Sequence, residues 1–315
     1  MNGRVLRGLP LGLLALSCAL SIATPAAAQR RHADRGLQRE LEALTRGFHG
    51  DVGVYVRHLA TGATAMIAPD DTFPTASMIK VPIMVGVFDA MRRGAFAFTD
   101  TAPEPRALAR YPEDDILAGL SDTARITVGR LLTLSLTYSD NSASLWLQQL
   151  AGTGTAINEW LERNDFAVTR VNARTPGREA EYERWGWGQT TPREMARLVT
   201  LIRQGKAVSP AASEEMYRHL TRSFWTGEAL SQLPPTVQAA SKQGAVDRSR
   251  SEVVLANAPS GDYVFCLITR NQQDESWKPA NEGYALLRRV SALLWRHFEP
   301  RHPWTPAPGA EALKP

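Results

Sequence analysis

Strand-like segments stand at both ends of the chain, and a long helical stretch separates them. Nothing else in the sequence restricts the fold as much. Residues 52–58 carry an extended apolar pattern, Ala60-Thr61-Gly62 turns, and residues 63–68 return, as in a β-hairpin. Near the other end, residues 237–241, 252–258 and 262–270 again read as strands, and Pro259-Ser260-Gly261 forms a turn between the last two. Helical spacing is predicted over 76–93, 128–136, 142–151, 156–163 and 192–204, with outer helices over 37–48 and 282–298. Elements in this order assemble most simply as an α+β fold. One antiparallel sheet is built from both chain ends and flanked by helices, with an inserted all-α lobe. The expected catalytic domain covers 29–299, as an α/β lobe of 29–96 plus 236–299 and an all-α lobe of 97–235. A cleft between such lobes is a natural small-molecule site.

Residues 1–28 have the make-up of an export signal. Arg4 and Arg7 precede an apolar run over 9–23, and Ala26-Ala27-Ala28 supplies a cleavage site of small residues. Cys18 sits in that run, but Ala15 and Leu16 before it fit a lipidation signal poorly, so it is expected to leave with the signal. The mature chain then has 36 − 2 = 34 basic residues against 32 acidic ones, and Cys266 as its sole cysteine. No intramolecular disulfide, nucleic-acid partner or stable membrane span is expected, and the protein reads as a secreted or periplasmic monomer. The six histidines form no H-x-x-x-H or H-x-H cluster, so neither a metal nor another cofactor is expected. The tail over 300–315 holds five prolines in 16 residues and is expected to be disordered.

Three short motifs fall on the expected cleft. In Ser77-Met78-Ile79-Lys80, helical spacing puts the hydroxyl and the amine on one face, where a partly desolvated lysine can act as base for a serine nucleophile. Ser139-Asp140-Asn141 lies in a polar break between helices. Lys242-Gln243-Gly244 lies on the first strand after the helical middle, where a lysine can attract an anionic substrate and a glycine lets backbone approach it. Singly, each also reads as ordinary structure: a helix cap beside a solvated lysine, an N-cap, and an edge-strand lysine with a bulge glycine.

Together, in this order, they resemble the S-x-x-K, S-D-N and K-T-G set of class A β-lactamases and penicillin-binding proteins. The separations of 62 and 103 residues, the lobe order and Thr190-Thr191-Pro192 opening a helix favour the class A members. The resemblance runs from about Leu37 to about Phe298. It implies a serine hydrolase acting on β-lactams or peptidoglycan-peptide-like substrates, without metal or other cofactor. By it, Ser77 is the acylated nucleophile and Lys80 its base or proton relay. Ser139 passes a proton to the leaving nitrogen, and Asn141 holds the substrate's side-chain amide. Lys242 binds Ser139 and attracts the substrate carboxylate. The backbone N–H groups of Ser77 and Ala245 form the oxyanion hole, beside Gly244. Arg250 is the expected carboxylate-binding arginine, with Arg248 as competitor. A D-Ala-D-Ala carboxypeptidase and a non-hydrolysing relative share the three motifs and stand as alternatives.

Two departures from the family pattern bear on activity. Gln243 stands where Thr or Ser is usual. In the loop before Thr190-Thr191-Pro192, where class A enzymes carry a deacylating Glu with an Asn four residues later, an ungapped match puts Thr175 and Glu179. Glu179 is the expected substitute base, with Glu181 and Glu183 behind it. Pairing of these acids with Arg178 and Arg184 on a solvated loop is the competing reading, with Trp185 and Trp187 as packing aromatics.

Overall fold

The two groups of terminal strands meet in one sheet. The computed structural model describes Met1 and residues 32–102, 115–120 and 125–314. All but Met1 of the expected export signal lies outside them. Helix α1 (Arg35–Thr45) leads to the predicted hairpin, β1 (Asp51–His58) and β2 (Thr64–Ile67). Strand β3 (Phe73–Pro74) and a 3₁₀ turn (Ala76–Ile79) then enter α2 (Lys80–Arg92). Helices α3 (Val128–Thr133), α4 (Asn141–Leu150) and α5 (Thr153–Arg163) follow. Next come β4 (Arg170–Val171), α6 (Glu179–Trp185), β5 (Gly188–Thr190), α7 (Pro192–Arg203) and α8 (Pro210–Leu220). Strands β6 (Ala239–Val246), β7 (Ser249–Ala256) and β8 (Tyr263–Arg270) rejoin the sheet, and α9 (Glu282–Phe298) closes the domain.

The sheet order is β2-β1-β8-β7-β6, antiparallel throughout. The chain ends join where Asp51 faces Arg270 and His58 faces Tyr263. Apolar residues on both faces of these strands give the sheet two cores. On one face, α1 and α9 bury Leu37, Leu41, Leu287, Leu294 and Trp295 against Val54, Val254 and Phe265. On the other, Val253, Val264 and Cys266 join a core that runs through α2 into the helical lobe. Helix α2 buries every residue from Lys80 to Ala90, so no polar face shows in its sequence.

Several differences from the expected elements have physical causes. Strand β6 runs on to Val246, because pairing with β7 overrides the weak strand propensity of Lys242-Gln243-Gly244. The helix expected over 128–136 ends at Thr133 and continues as a wider π turn over Leu134–Tyr138. Helix α8 and the small sheet β3-β5-β4 were not expected; strands of two or three residues leave no periodicity to read. That small sheet places two strands in the segment expected to be all-α. The start of the proline-rich tail is packed rather than disordered: Trp295 Nε1 donates to His302 O at 2.9 Å, and Trp304 rests on the α1/α9 core. Among the described residues, no helix is long and apolar enough to cross a membrane.

Candidate active site

Ser77 sits where β3 ends and the central helix begins. Ala76 before it has φ +44°, a left-handed value that costs a non-glycine residue energy and turns the chain sharply into the 3₁₀ turn. One turn on, Lys80 Nζ lies 3.0 Å from Ser77 Oγ. The lysine is fully buried, and burial pulls its pKa down to about 7 against the opposing pull of Asp115 and Asp140.

The π turn ends at Ser139, itself left-handed at φ +65°. This conformation aims both the Ser139 carbonyl and its hydroxyl at Lys80, with Oγ 3.0 Å from Nζ. Asn141 Oδ1 accepts from the same Nζ at 2.8 Å. Asp140 turns the other way, accepting from the Ala143 and Leu117 amides at 2.7 and 2.8 Å. Asp115 accepts from the Asn141 and Ser142 amides at 2.8 and 2.6 Å. These two buried carboxylates hold the Ser139–Asn141 turn in shape and satisfy the orphan amides that open α4. Asp115 was not legible in the sequence, since a lone acid far from any motif gives no signal.

The third wall is β6, at the edge of the sheet. Lys242 Nζ lies 3.0 Å from Ser139 Oγ, so both buried lysines converge on one hydroxyl. Burial lowers the Lys242 pKa well below the usual range, and the nearby Lys80 charge lowers it further. Lys242 also donates to the Gln243 side-chain carbonyl. A Cβ on Gly244 would come within 2.8 Å of the Ser77 amide nitrogen, so only glycine lets the strand lie against the nucleophile. The Arg250 amide donates across to Thr269 Oγ1 at 2.8 Å. Ala245, facing Arg250, is therefore in a non-hydrogen-bonded pair, and its own N–H points off the sheet edge. A cavity of about 830 Å³ opens here, lined by Ser77, Asn141 and Ala245 among others.

The chain has relatives among known proteins. A model of the beta-lactamase enzyme family matches residues 36–298. The chain belongs to that family. A beta-lactamase of Streptomyces lavendulae is 28% identical over 225 residues, 68% of this chain and 67% of the relative. One of Streptomyces cellulosae is 26% identical over 271 residues, 81% and 83% of the two chains. Among solved structures, PBP-A superposes with a TM-score of 0.74 at 24% identity, covering 85% of this chain and 97% of that one. An ancestral class A beta-lactamase superposes with a TM-score of 0.71 at 21% identity, covering 83% and 99%. The fold is thus that of class A β-lactamase-like serine enzymes.

Within this family frame, two expected site residues lie elsewhere. Arg250 is 0% exposed. Strand alternation turns it to the sheet face covered by α9, where its guanidinium lies 4.6 Å from the Trp277 ring and 4.7 Å from that of Tyr284. It donates to the carbonyls of Val246, Ser249 and Ser276 and does not reach the cavity, whereas Arg248 lines it. Glu179 is exposed at the start of α6 and accepts from the Gly177 amide at 3.2 Å, away from the cavity lining. Thr175 is buried, donating to Ala173 O at 3.1 Å and packed on Gly154. The loop acids do not pair with the loop arginines either. Arg178 binds Asn172 and Gln189, and Arg184 stacks on Trp185. Trp185 and Trp187, expected only to pack the loop, both line the cavity.

Proposed function

We propose that this chain is an exported serine β-lactamase in which Ser77 opens the β-lactam ring and carries the acyl group as an ester. The observation that carries this reading is Lys80 Nζ, 3.0 Å from the hydroxyls of both Ser77 and Ser139, with a pKa lowered to about 7. A neutral amine has two N–H donors and one lone pair. The donors match Ser139 O and Asn141 Oδ1, which only accept, and the lone pair is left for a hydroxyl proton.

Two buried ammonium groups around one hydroxyl repel each other. A substrate carboxylate at Lys242 favours the charged form there, which leaves Lys80 as the neutral partner. Lys80 then takes the Ser77 proton as Oγ attacks the lactam carbonyl. The amide nitrogens of Ser77 and Ala245 stabilise the oxyanion. Ser139 gives its proton to the ring nitrogen as the C–N bond breaks and recovers one from Lys80. Gln243, its carbonyl engaged by Lys242, offers its amide N–H groups to the carboxylate. Asn141 holds the side-chain amide of the substrate. Residues 1–28 act as the export signal, which delivers the enzyme to where β-lactams meet the cell wall.

The test is hydrolysis of a chromogenic cephalosporin, together with the intact mass of the protein after penicillin exposure. One adduct is expected on the wild type and none on Ser77→Ala. Absence of both hydrolysis and adduct would overturn the reading.

A further inference from the structure

The cavity beside Ser77 is walled by cations and, among the described residues, by no acid. Arg184, Arg248 and Arg270 line it from three separate parts of the chain, and no Asp or Glu does. Arg270 is already balanced: Asp51 lies at 2.9 Å and Asp71 at 3.7 Å. Among the described residues, the one carboxylate that Arg248 faces is Glu275 at 3.5 Å, and both side chains are more than half exposed, so that pair holds its charge weakly. Arg184 stacks 4.7 Å over the Trp185 ring and, among the described residues, has no carboxylate within ion-pair distance. Gly186 follows at φ +67° and ψ −144°, a conformation that favours glycine and reverses the chain. That reversal sets Arg184, Trp185, Gly186 and Trp187 side by side as one wall.

Resting on the β-lactamase reading above, we propose that this wall is a second anion subsite. Arg184 and Arg248 recognise a carboxylate on the acyl side chain of the substrate, distinct from the ring carboxylate assigned to Lys242 and Gln243. The placement follows from Asn141, which lines the same cavity. A substrate whose side-chain amide rests on Asn141 extends its acyl group into the remaining space, toward the two tryptophans and the two under-compensated arginines. The indole faces lower the local dielectric, which strengthens attraction between guanidinium and carboxylate. The preferred substrates are therefore dianionic: penicillins carboxylated on the side chain, or cell-wall peptides with a free side carboxylate.

The experiment compares acylation of the intact enzyme by a benzyl-side-chain penicillin and by its α-carboxy counterpart. Wild type favours the carboxylated compound, and the preference shrinks in high salt. In Arg184→Gln and Arg248→Gln, the ratio of the two rates falls about five-fold per arginine replaced, the upper range for an exposed ion pair. An unchanged ratio, or an equal loss on both compounds, overturns the subsite and leaves Arg184 as a helix-end cation. Ser77→Ala, titrated with the same two compounds by tryptophan fluorescence, reads binding without acylation. Preference for the carboxylated compound there, with no acylation of wild type by either, sinks the hydrolase reading and keeps the subsite. No preference there overturns the subsite. An acyl-D-Ala-D-Ala peptide with its side carboxylate free or amidated, in the same titration, separates the peptide source from the penicillin source.

Discussion

Lys80 and Arg250 show how burial assigns opposite roles to two cations of one chain. Lys80 is held by acceptors but, among the described residues, has no carboxylate in direct contact, so desolvation leaves it near its deprotonation point. As a base it works only when neutral. Acylation of Ser77 should therefore rise with pH through about 7 and fall about ten-fold per unit on the acid side. Stopped-flow acylation against pH checks this, and a profile flat from pH 5 to 9, on the order of the window where Lys80 titrates, would remove Lys80 as the base. Arg250 is instead sandwiched between two rings and bonded to four carbonyls. Arg250→Ala should destabilise the fold by about 2–4 kcal/mol, as lost stacking and orphaned buried carbonyls do, with substrate preference unaltered. Urea melts and a panel of penicillins decide it. A change in substrate preference at full stability would instead restore Arg250 to the site.

At the level of elements, the site depends on how closely β6 lies against the 3₁₀ turn that carries Ser77. Gly244 sets that approach: in Gly244→Ala the new Cβ meets Thr75 O at 2.7 Å and the Ser77 nitrogen at 2.8 Å. The strand must move away and take the Ala245 amide with it. Acylation should fall by about 10²-fold or more, the cost of losing one oxyanion donor, while circular dichroism stays native. On the neighbouring strand, Glu252 is fully buried, accepts from Ser241 Oγ at 2.6 Å and from the Ala229 amide at 2.9 Å, and has its pKa raised to about 7 by burial. An acid whose folded pKa exceeds its unfolded one binds more protons when folded. It therefore takes stability away as pH rises from its unfolded value of 4.5 through about 7. Glu252→Gln should lessen that decline, gaining on the order of 1–3 kcal/mol on wild type between pH 5 and 8. Parallel stability curves for the two proteins would count against a neutral Glu252.

Across the whole molecule, the sequence made the architecture readable because chain order alone dictates that strands at both ends must share a sheet around a helical middle. The three motifs were readable because their spacing survives in the chain. What stayed hidden depends on turn placement and distance. Choosing between Arg248 and Arg250, two residues apart and of the same parity, needs the place of the turn: Arg248 lies in the turn between β6 and β7, free of the pleat, and Arg250 lies inside β7. Asp115 acts across 26 residues, and the arginine wall gathers from three elements. The same long-range view bears on turnover. Hydrolysis of the Ser77 ester needs a base beside its carbonyl, and none of the loop acids lines the cavity. Thr175 is sealed against Gly154, and Glu179 faces its own loop. Lys80, neutral again once Ser139 has recovered its proton, then remains as the base at the ester, and among the described residues no carboxylate lines the cavity beside it to hold the attacking water. A missing general base costs about 10²–10⁴-fold, so deacylation should lag acylation by that order. Mixing enzyme with a chromogenic cephalosporin should release one equivalent of product in a burst and then turn over slowly. Intact mass should show the adduct persisting, and Glu179→Gln should leave both phases in place. Fast linear turnover without a burst, abolished in Glu179→Gln, would mean that the loop swings its glutamate into the cavity once the ester has formed.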